Sequence, residues 1–371
     1  MDVATVVPPY VAKPLRLRPF RAVMLSPRSV GDAASSRALA RPYRDAPGRL
    51  GEWIDNGRAL RDDSHAVYLH EYTAGGLTVR GLVGSLDVAR RAPDTQSRAV
   101  WPHEAIHPEQ ALGLAARMEQ MDLNPAPILL VHDGTTALRT LVAEVAEAEP
   151  AWRYVDRVGQ RHRIWPVRDP VVLDALDAEL AETHCLLADG HHRYAAYLAL
   201  QQDHPGTPWD TGLAMLVDQG DTPLFLGAIH RTLARTSLAA LQEASLVLGA
   251  RVDHLSRFAA LASLTTDTII ATDADTWVSI RPPDRPERAM VEWLHQGLVS
   301  ELSEPPVVAH HHTVEDALAS AGPTRPAVLL PSPSFDQVRG IVEGGRLLPE
   351  KATSFQPKPS LGALMRPVLD G

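Results

Sequence analysis

The periodicity of the chain changes sharply at one point between residues 185 and 198. Cys185-Leu186-Leu187-Ala188 is an uninterrupted apolar run, whereas Tyr194, Tyr197 and Leu198 recur at helical spacing. Only Asp189-Gly190 and three basic-type residues separate the two patterns. A buried strand must therefore pass into a helix through a glycine turn. Joints of this kind belong to architectures that mix strands and helices in one layer system.

The rest of the sequence agrees. Thr73-Ala74-Gly75-Gly76 lies between the strand patterns Tyr68–Tyr72 and Leu77–Leu82 and predicts a hairpin, because Gly-Gly supplies positive backbone dihedrals. A strand is expected at Leu17–Leu25, with loops and short helices over residues 26–64. Helices are expected at Pro108–Asp122, Thr135–Glu149 and Pro170–Thr183, and strands at Pro127–Val131, Ala151–Arg157 and His162–Val167. Strands and helices continue to alternate to Val342, including one helix over Arg288–Leu302; residues 283–287 and 304–308 read as charged or proline-rich loops. The expected fold class is α/β (mixed α+β). Three stretches are expected: an irregular, proline-rich arm over 1–16, an α/β region over 17–235, and a second α/β region over 236–371.

Composition narrows the function. Across 371 residues, 36 basic against 45 acidic side chains leave a formal charge of −9, so nucleic acid is not an expected partner. Cys185 is the single cysteine, which excludes an intrachain disulfide and a cysteine-rich zinc site. No apolar stretch is long enough for a membrane helix, and the first residues lack a signal core. A cytoplasmic protein is the resulting expectation.

The Asp-Gly turn is also the best candidate for chemistry. The first turn of a helix offers unpaired N–H groups and the positive end of the macrodipole, a ready anion site. Here Asp189, Gly190 and Arg193 would hold phosphate, while His191 and His192 would donate to it or move protons. The structural alternative is that Asp189 caps the helix and the histidines satisfy buried carbonyls. His103-Glu104 joins a base to a carboxylate, against the alternative of a solvated loop. Only Lys13, Lys351 and Lys358 are lysines, the other basic residues being arginines. Arginine-rich codon usage explains the bias, yet it also makes Lys351 and Lys358 candidate charge clamps. His310 and His312 could share a strand face, but a polar loop is the simpler reading and no metal site is assigned. Arg161-His162-Arg163 reads as an exposed strand edge, and Cys185 as a small buried hydrophobe.

Several motifs together carry a resemblance. Ala188-Asp189-Gly190-His191-His192-Arg193-Tyr194 is the strongest, joined by Trp101-Pro102-His103-Glu104, Asn124-Pro125-Ala126-Pro127-Ile128 and Leu348–Lys358, with Pro19-Phe20-Arg21 and Pro42-Tyr43 as opening elements. In this order they resemble domain-of-unknown-function family 1015 over nearly the whole chain. Arg44, Ala195, Ala352 and Ser354 stand where that family more often has other residues. The Asp-Gly-His-His-Arg segment is also distantly similar to the ParB/sulfiredoxin superfamily, which includes free-serine kinases and in which the corresponding turn cradles nucleotide phosphates. The resemblance implies a ParB/sulfiredoxin-like core with additional α/β elements, and a nucleotide (ATP or ADP) with Mg2+ as cofactors. Cys185 precedes the turn rather than lying in it, so sulfiredoxin chemistry is not expected.

Two function classes follow. One is a nucleotide-dependent phosphotransferase acting on a small hydroxylated metabolite, with serine the leading guess by analogy. There His191, His192, His103 and Glu104 serve catalysis, and Asp189, Gly190, Arg193, Lys351 and Lys358 bind phosphate. The other is a nucleotide- or phosphate-binding regulatory protein without turnover. In both, the partner is a small-molecule or nucleotide ligand, and the sequence leaves the oligomeric state open.

Overall fold

The computed structural model describes residues 5–283 and 288–369. The first four residues of the expected arm and most of the loop expected at 283–287 lie outside the described residues. The chain forms two compact units, one from residues 1–224 with 357–371 and one from 225–356.

The first unit is built on a mixed sheet of nine strands among the described residues. They are β1 (Leu17–Arg18), β2 (Val67–Ala74), β3 (Leu77–Asp87), β4 (Val100–Pro102), β5 (Ile128–His132), β6 (Trp152–Val155), β7 (Arg161–Val167), β8 (Cys185–Asp189) and β9 (Thr211–Asp218). Their spatial order is β4-β8-β5-β9-β3-β2-β7-β6, with β1 on the edge of β3. The expected hairpin joins β2 to β3, and both turn glycines have positive φ, 56° and 82°. The pair β4–β8 is parallel, so these two short strands end side by side.

The longer helices of this unit are α1 (Pro108–Met121), α2 (Thr136–Glu147), α3 (Pro170–Leu180) and α4 (His191–Asp203). Proline occupies the first turn of α1 and α3, where its missing N–H costs nothing. Thr135 caps α2 by accepting the Leu138 amide at 3.0 Å. One face of the sheet, through Leu69, Leu82, Leu130, Leu187 and Leu216, packs into the main core. Each such side chain contributes about 1.5–3 kcal/mol on burial. A second core gathers Val23, Leu39, Trp53, Leu123 and Met365.

Two sequence expectations are corrected and two are refined. The strand expected over Leu17–Leu25 is two short strands, Leu17–Arg18 and Val23–Leu25, separated at Pro19, which has no N–H for a ladder. The proline-rich arm is irregular, but Val11 and Leu15 are fully buried in the main core. Arg161-His162-Arg163 is not a sheet edge, because β6 pairs along its outer side and His162 is completely buried. In the second unit, the helix expected over Arg288–Leu302 is a single turn at Met290–Glu292, a wide turn at Trp293–Gly297 and a tight one at Leu298–Glu301. Gly297 lies where the winding changes.

The second unit carries a six-stranded antiparallel sheet, ordered Arg251–Leu255, Trp277–Arg281, Ile269–Thr272, Ala327–Leu329, His230–Ala234, Val307–His311. A separate ribbon pairs Phe225–Ala228 with Thr353–Gln356. No helix among the described residues is long and apolar enough to cross a membrane.

Candidate functional site

At the end of β8 the backbone turns through Gly190, whose φ of +91° places it in the left-handed region. A Cβ there would lie 3.0 Å from the Arg193 guanidinium and from Ile128. Gly190 is the N-cap of α4, and no side chain caps it. Asp189, which could have done so, is engaged elsewhere. The amides of the first turn therefore keep their outward direction.

Asp189 lies between two cations. Its Oδ2 accepts from Arg193 Nη2 at 2.7 Å, and its Oδ1 accepts from the Lys358 ammonium. Burial pushes this carboxyl upward, but Arg193 and Lys358 outweigh it and hold it below the usual carboxylate value. Arg193 Nη1 donates to the Pro127 carbonyl at 2.6 Å. The arginine fork thus braces the turn against the Asn124–Ile128 segment instead of reaching freely outward. The Lys358 side chain is 44% exposed.

Lys358 is placed by its backbone. Gln160 Nε2 donates to the Lys358 carbonyl at 2.8 Å, and Gln160 Oε1 accepts the Ser360 amide at 3.2 Å. The Tyr72 hydroxyl donates to the Pro357 carbonyl at 2.7 Å. Beneath this strap runs a fully buried chain. Asp156 accepts from His162 Nε2 at 3.1 Å, so His162 Nδ1 is bare and accepts from His70 Nε2 at 2.9 Å. Burial would raise the Asp156 carboxyl, yet its bonds to Ser360 and His162 lower it. Burial, then His162, drives His70 well below its ordinary value. Sequence reasoning missed this chain. The available signal was the strand period of two, which puts His162 on the opposite face from Arg161 and Arg163.

The parallel pairing of β4 with β8 brings His103-Glu104 beside the turn. Pro102 is in register with Leu187, so His103 emerges next to the last residues of β8. His103 is buried, and its Nδ1 donates to the Leu187 carbonyl at 2.7 Å, which leaves Nε2 facing Glu104 Oε1 at 3.5 Å. The His103 amide donates to His191 Nε2 at 3.4 Å, and the two rings meet edge to face. Burial, reinforced by His103, pushes His191 down to about 3. A neutral imidazole at that position holds the His103 loop and carries no positive charge near neutral pH. His192 accepts the His107 amide at 3.1 Å and stacks on its ring. Side-chain contacts thus link Asp189, Arg193 and Lys358 in one set and His103, Glu104 and His191 in another; the backbone of residues 189–193 carries members of both, with His192 turned to His107.

Lys351 belongs to the second unit. Its φ is +53°, and its ammonium is 3.9 Å from Glu350. The Glu350 and Lys351 carbonyls accept from Arg231 Nη2 at 3.3 and 2.9 Å, while Arg231 Nη1 donates to Ile229 O at 2.7 Å. Arg231 is completely buried. In the same unit His310 and His311 lie on a strand paired with His230 and Arg231, and His311 meets the Thr232 hydroxyl at 3.0 Å. Cys185 is buried and its thiol is pushed up by burial. Among the described residues no group of three or more His, Cys, Asp or Glu side chains is arranged to hold a metal ion.

Solved structures offer remote likenesses. SbnI with a C-terminal truncation from Staphylococcus aureus is 12% identical, with 73% of this chain and 85% of that one covered and a TM-score of 0.43. A free serine kinase in complex with AMP is 14% identical, covering 73% and 90%, with a TM-score of 0.39. A variant of a free serine kinase in complex with ADP is 13% identical, with the same coverage and a TM-score of 0.40. No curated protein matches. The family model described as "Protein of unknown function (DUF1015)" matches residues 18–301, about three quarters of the chain, and the chain belongs to that family.

Proposed function

We propose that the protein is a nucleotide-dependent phosphotransferase acting on a small hydroxylated metabolite, with serine as the first substrate to test. The observation that carries this reading is the convergence at Asp189. One carboxylate is held by an ammonium and a guanidinium, beside an uncapped helix start. Asp189, Arg193 and Lys358 together carry a formal charge of +1, and the amides of α4 add a partial positive charge, which together favour a phosphate group at this end of the site. The turn also lies at the carboxyl end of β8, where open α/β sheets place their ligands.

In this reading Lys358 is the mobile cation. Phosphate oxygens compete with Asp189 for its ammonium, and Arg193 stays behind to keep the turn in shape. Glu104, mostly buried beside His103, would take the proton from the attacking hydroxyl as the nucleotide's terminal phosphoryl group passes to that oxygen, with ADP leaving from ATP or AMP from ADP. His192 would donate to the transferring group, and His191 would fix the geometry of both loops. Phosphoryl transfer depends on such positioning and charge neutralisation more than on covalent chemistry. Mg2+ would arrive on the nucleotide's phosphates and neutralise their charge, with Glu104 its candidate protein ligand, since this ion commonly uses one or two carboxylates and keeps several waters.

The test is incubation of the full chain with ATP or ADP, Mg2+ and a panel of hydroxylated metabolites including serine, followed by phosphorus NMR. Substrate-dependent appearance of a phosphomonoester supports the reading. The second reading, a nucleotide-binding regulator, is favoured by the engagement of Arg193 with Asp189 and Pro127, which leaves fewer donors for turnover. Saturable nucleotide binding with no phosphomonoester from any substrate would establish that second reading instead.

A further inference from the structure

The first unit holds a cavity of about 300 Å3 to which no side chain of the Asp189 group contributes. Its walls come from Leu25, Leu39, Met121, Leu123 and Met365, all buried members of the second core. This volume is at the lower end of the range for small-molecule pockets, about 300–1,000 Å3.

Its donors come from the helix Ala33–Ala40 and the residue that ends it. Ser36 lines the cavity, and its hydroxyl oxygen is buried with no hydrogen-bond partner. An unsatisfied buried hydroxyl is uncommon, and each needs a reason. Arg37 and Arg41 line the same cavity one helical turn apart, and neither side chain has a hydrogen-bond or ion-pair partner among the described residues. They are not needed for the helix end, because Arg49 donates to the Leu39 and Pro42 carbonyls at 3.0 and 2.5 Å. The nearby Asp45 carboxylate is within ion-pair distance of Arg44 and Arg49.

We infer that this cavity binds a medium-chain alkyl carboxylate. The hydrocarbon tail fills the leucine and methionine walls, where each buried methylene gains about 0.8 kcal/mol. The carboxylate meets the Arg37 and Arg41 forks, which match its two oxygens, and accepts a hydrogen bond from the Ser36 hydroxyl. The pocket favours both parts together: an apolar molecule leaves the buried Ser36 hydroxyl unpaired and the two exposed arginines to water, and a small anion leaves the walls empty. The site is independent of the phosphotransferase reading, since it shares no residue with the Asp189 group.

Calorimetric titration of the full chain with hexanoate, octanoate and decanoate, against the matching 1-alkanols, tests it without any nucleotide. The expected result is saturable one-to-one carboxylate binding that strengthens with chain length until the cavity is full, with the alkanol at least about tenfold weaker, the worth of one charge-assisted hydrogen bond. The double variant Arg37→Gln/Arg41→Gln should lose that preference while still binding alkanol, and Ala40→Phe, which fills the cavity, should bind neither. Absence of saturable binding for every chain length, or carboxylate binding equal to alkanol binding, overturns the inference. So does unchanged binding in a folded Ala40→Phe protein. Arg37 and Arg41 are exposed, so the double variant is expected to fold and decides the matter if Ala40→Phe does not.

Discussion

Lys358 and Asp189 are 169 residues apart in the chain, and the ammonium of the first donates to the carboxylate of the second. Asp189 also pairs with Arg193 across one turn of α4. The two pairs differ in use. Arg193 is tied at both ends of its fork, whereas Lys358 has one side-chain partner among the described residues and a partly exposed side chain.

Lys358→Met should therefore weaken ADP binding by about 1.5–3 kcal/mol, the range for hydrogen bonds to a charged group, with only a small change in thermal midpoint. Lys358→Arg should recover part of the affinity, because the charge is kept and the geometry is not. Titration calorimetry checks both, and equal affinity in Lys358→Met and wild type would remove the lysine from the site.

Gly190→Ala should cost about 1–2 kcal/mol from the left-handed backbone alone, with more from the crowding against Ile128. Urea unfolding measures this. A variant as stable as wild type would mean that the turn relaxes to a different conformation.

Stability should fall as the pH drops from about 6.5 towards about 3. His191 is neutral in the folded protein down to about 3 because of burial and its His103 neighbour, while in the unfolded chain it takes a proton near 6.5. The unfolded state thus binds more protons throughout that window, and stability is lost as acid is added. Asp189 acts in the same direction below the ordinary carboxylate value, since its folded form resists protonation. His191→Gln should flatten the upper part of the profile in chemical denaturation.

Glu104→Gln should abolish phosphomonoester formation while leaving the affinity for metal-free ADP within a few-fold, since the carboxylate is assigned to proton removal and would reach the phosphates only through Mg2+. Equal losses of turnover and affinity would move Glu104 to a binding role.

In the second unit, Arg231→Leu should destabilise by about 2–3 kcal/mol, because the buried Ile229 carbonyl loses its donor, at about 1–3 kcal/mol, and the part-buried Glu350 and Lys351 carbonyls lose theirs. Arg231→Lys should rescue little, as an ammonium cannot span the Ile229 and Lys351 carbonyls with one planar fork. Thermal unfolding of both variants compares them.

Much of the fold around the turn is readable in the residues. The strand ending at Asp189, the glycine turn and the helix after it follow from a change of periodicity, and the Gly75-Gly76 hairpin follows from backbone freedom. The hidden parts depend on distant partners. Nothing near Lys358 reveals that Gln160 holds its carbonyl, and nothing near Arg193 reveals that its fork closes on Pro127. His162 is hidden for a different reason. Its two flanking arginines suggest an edge, but the alternation they define turns the histidine inward, and only the pairing of β6 shows that the strand is interior. Lys351 and Lys358 are close in sequence, yet the chain crosses from the second unit to the first between them.

That crossing sets an order on synthesis. The turn, the helix and the His103 loop leave the ribosome early, but the ammonium that completes the site arrives only after the entire second unit has been translated. A message cut short anywhere in residues 225–356 yields a chain that contains Asp189 and Arg193 but lacks Lys358. The Asp189–Lys358 pair therefore forms only in chains translated as far as Lys358.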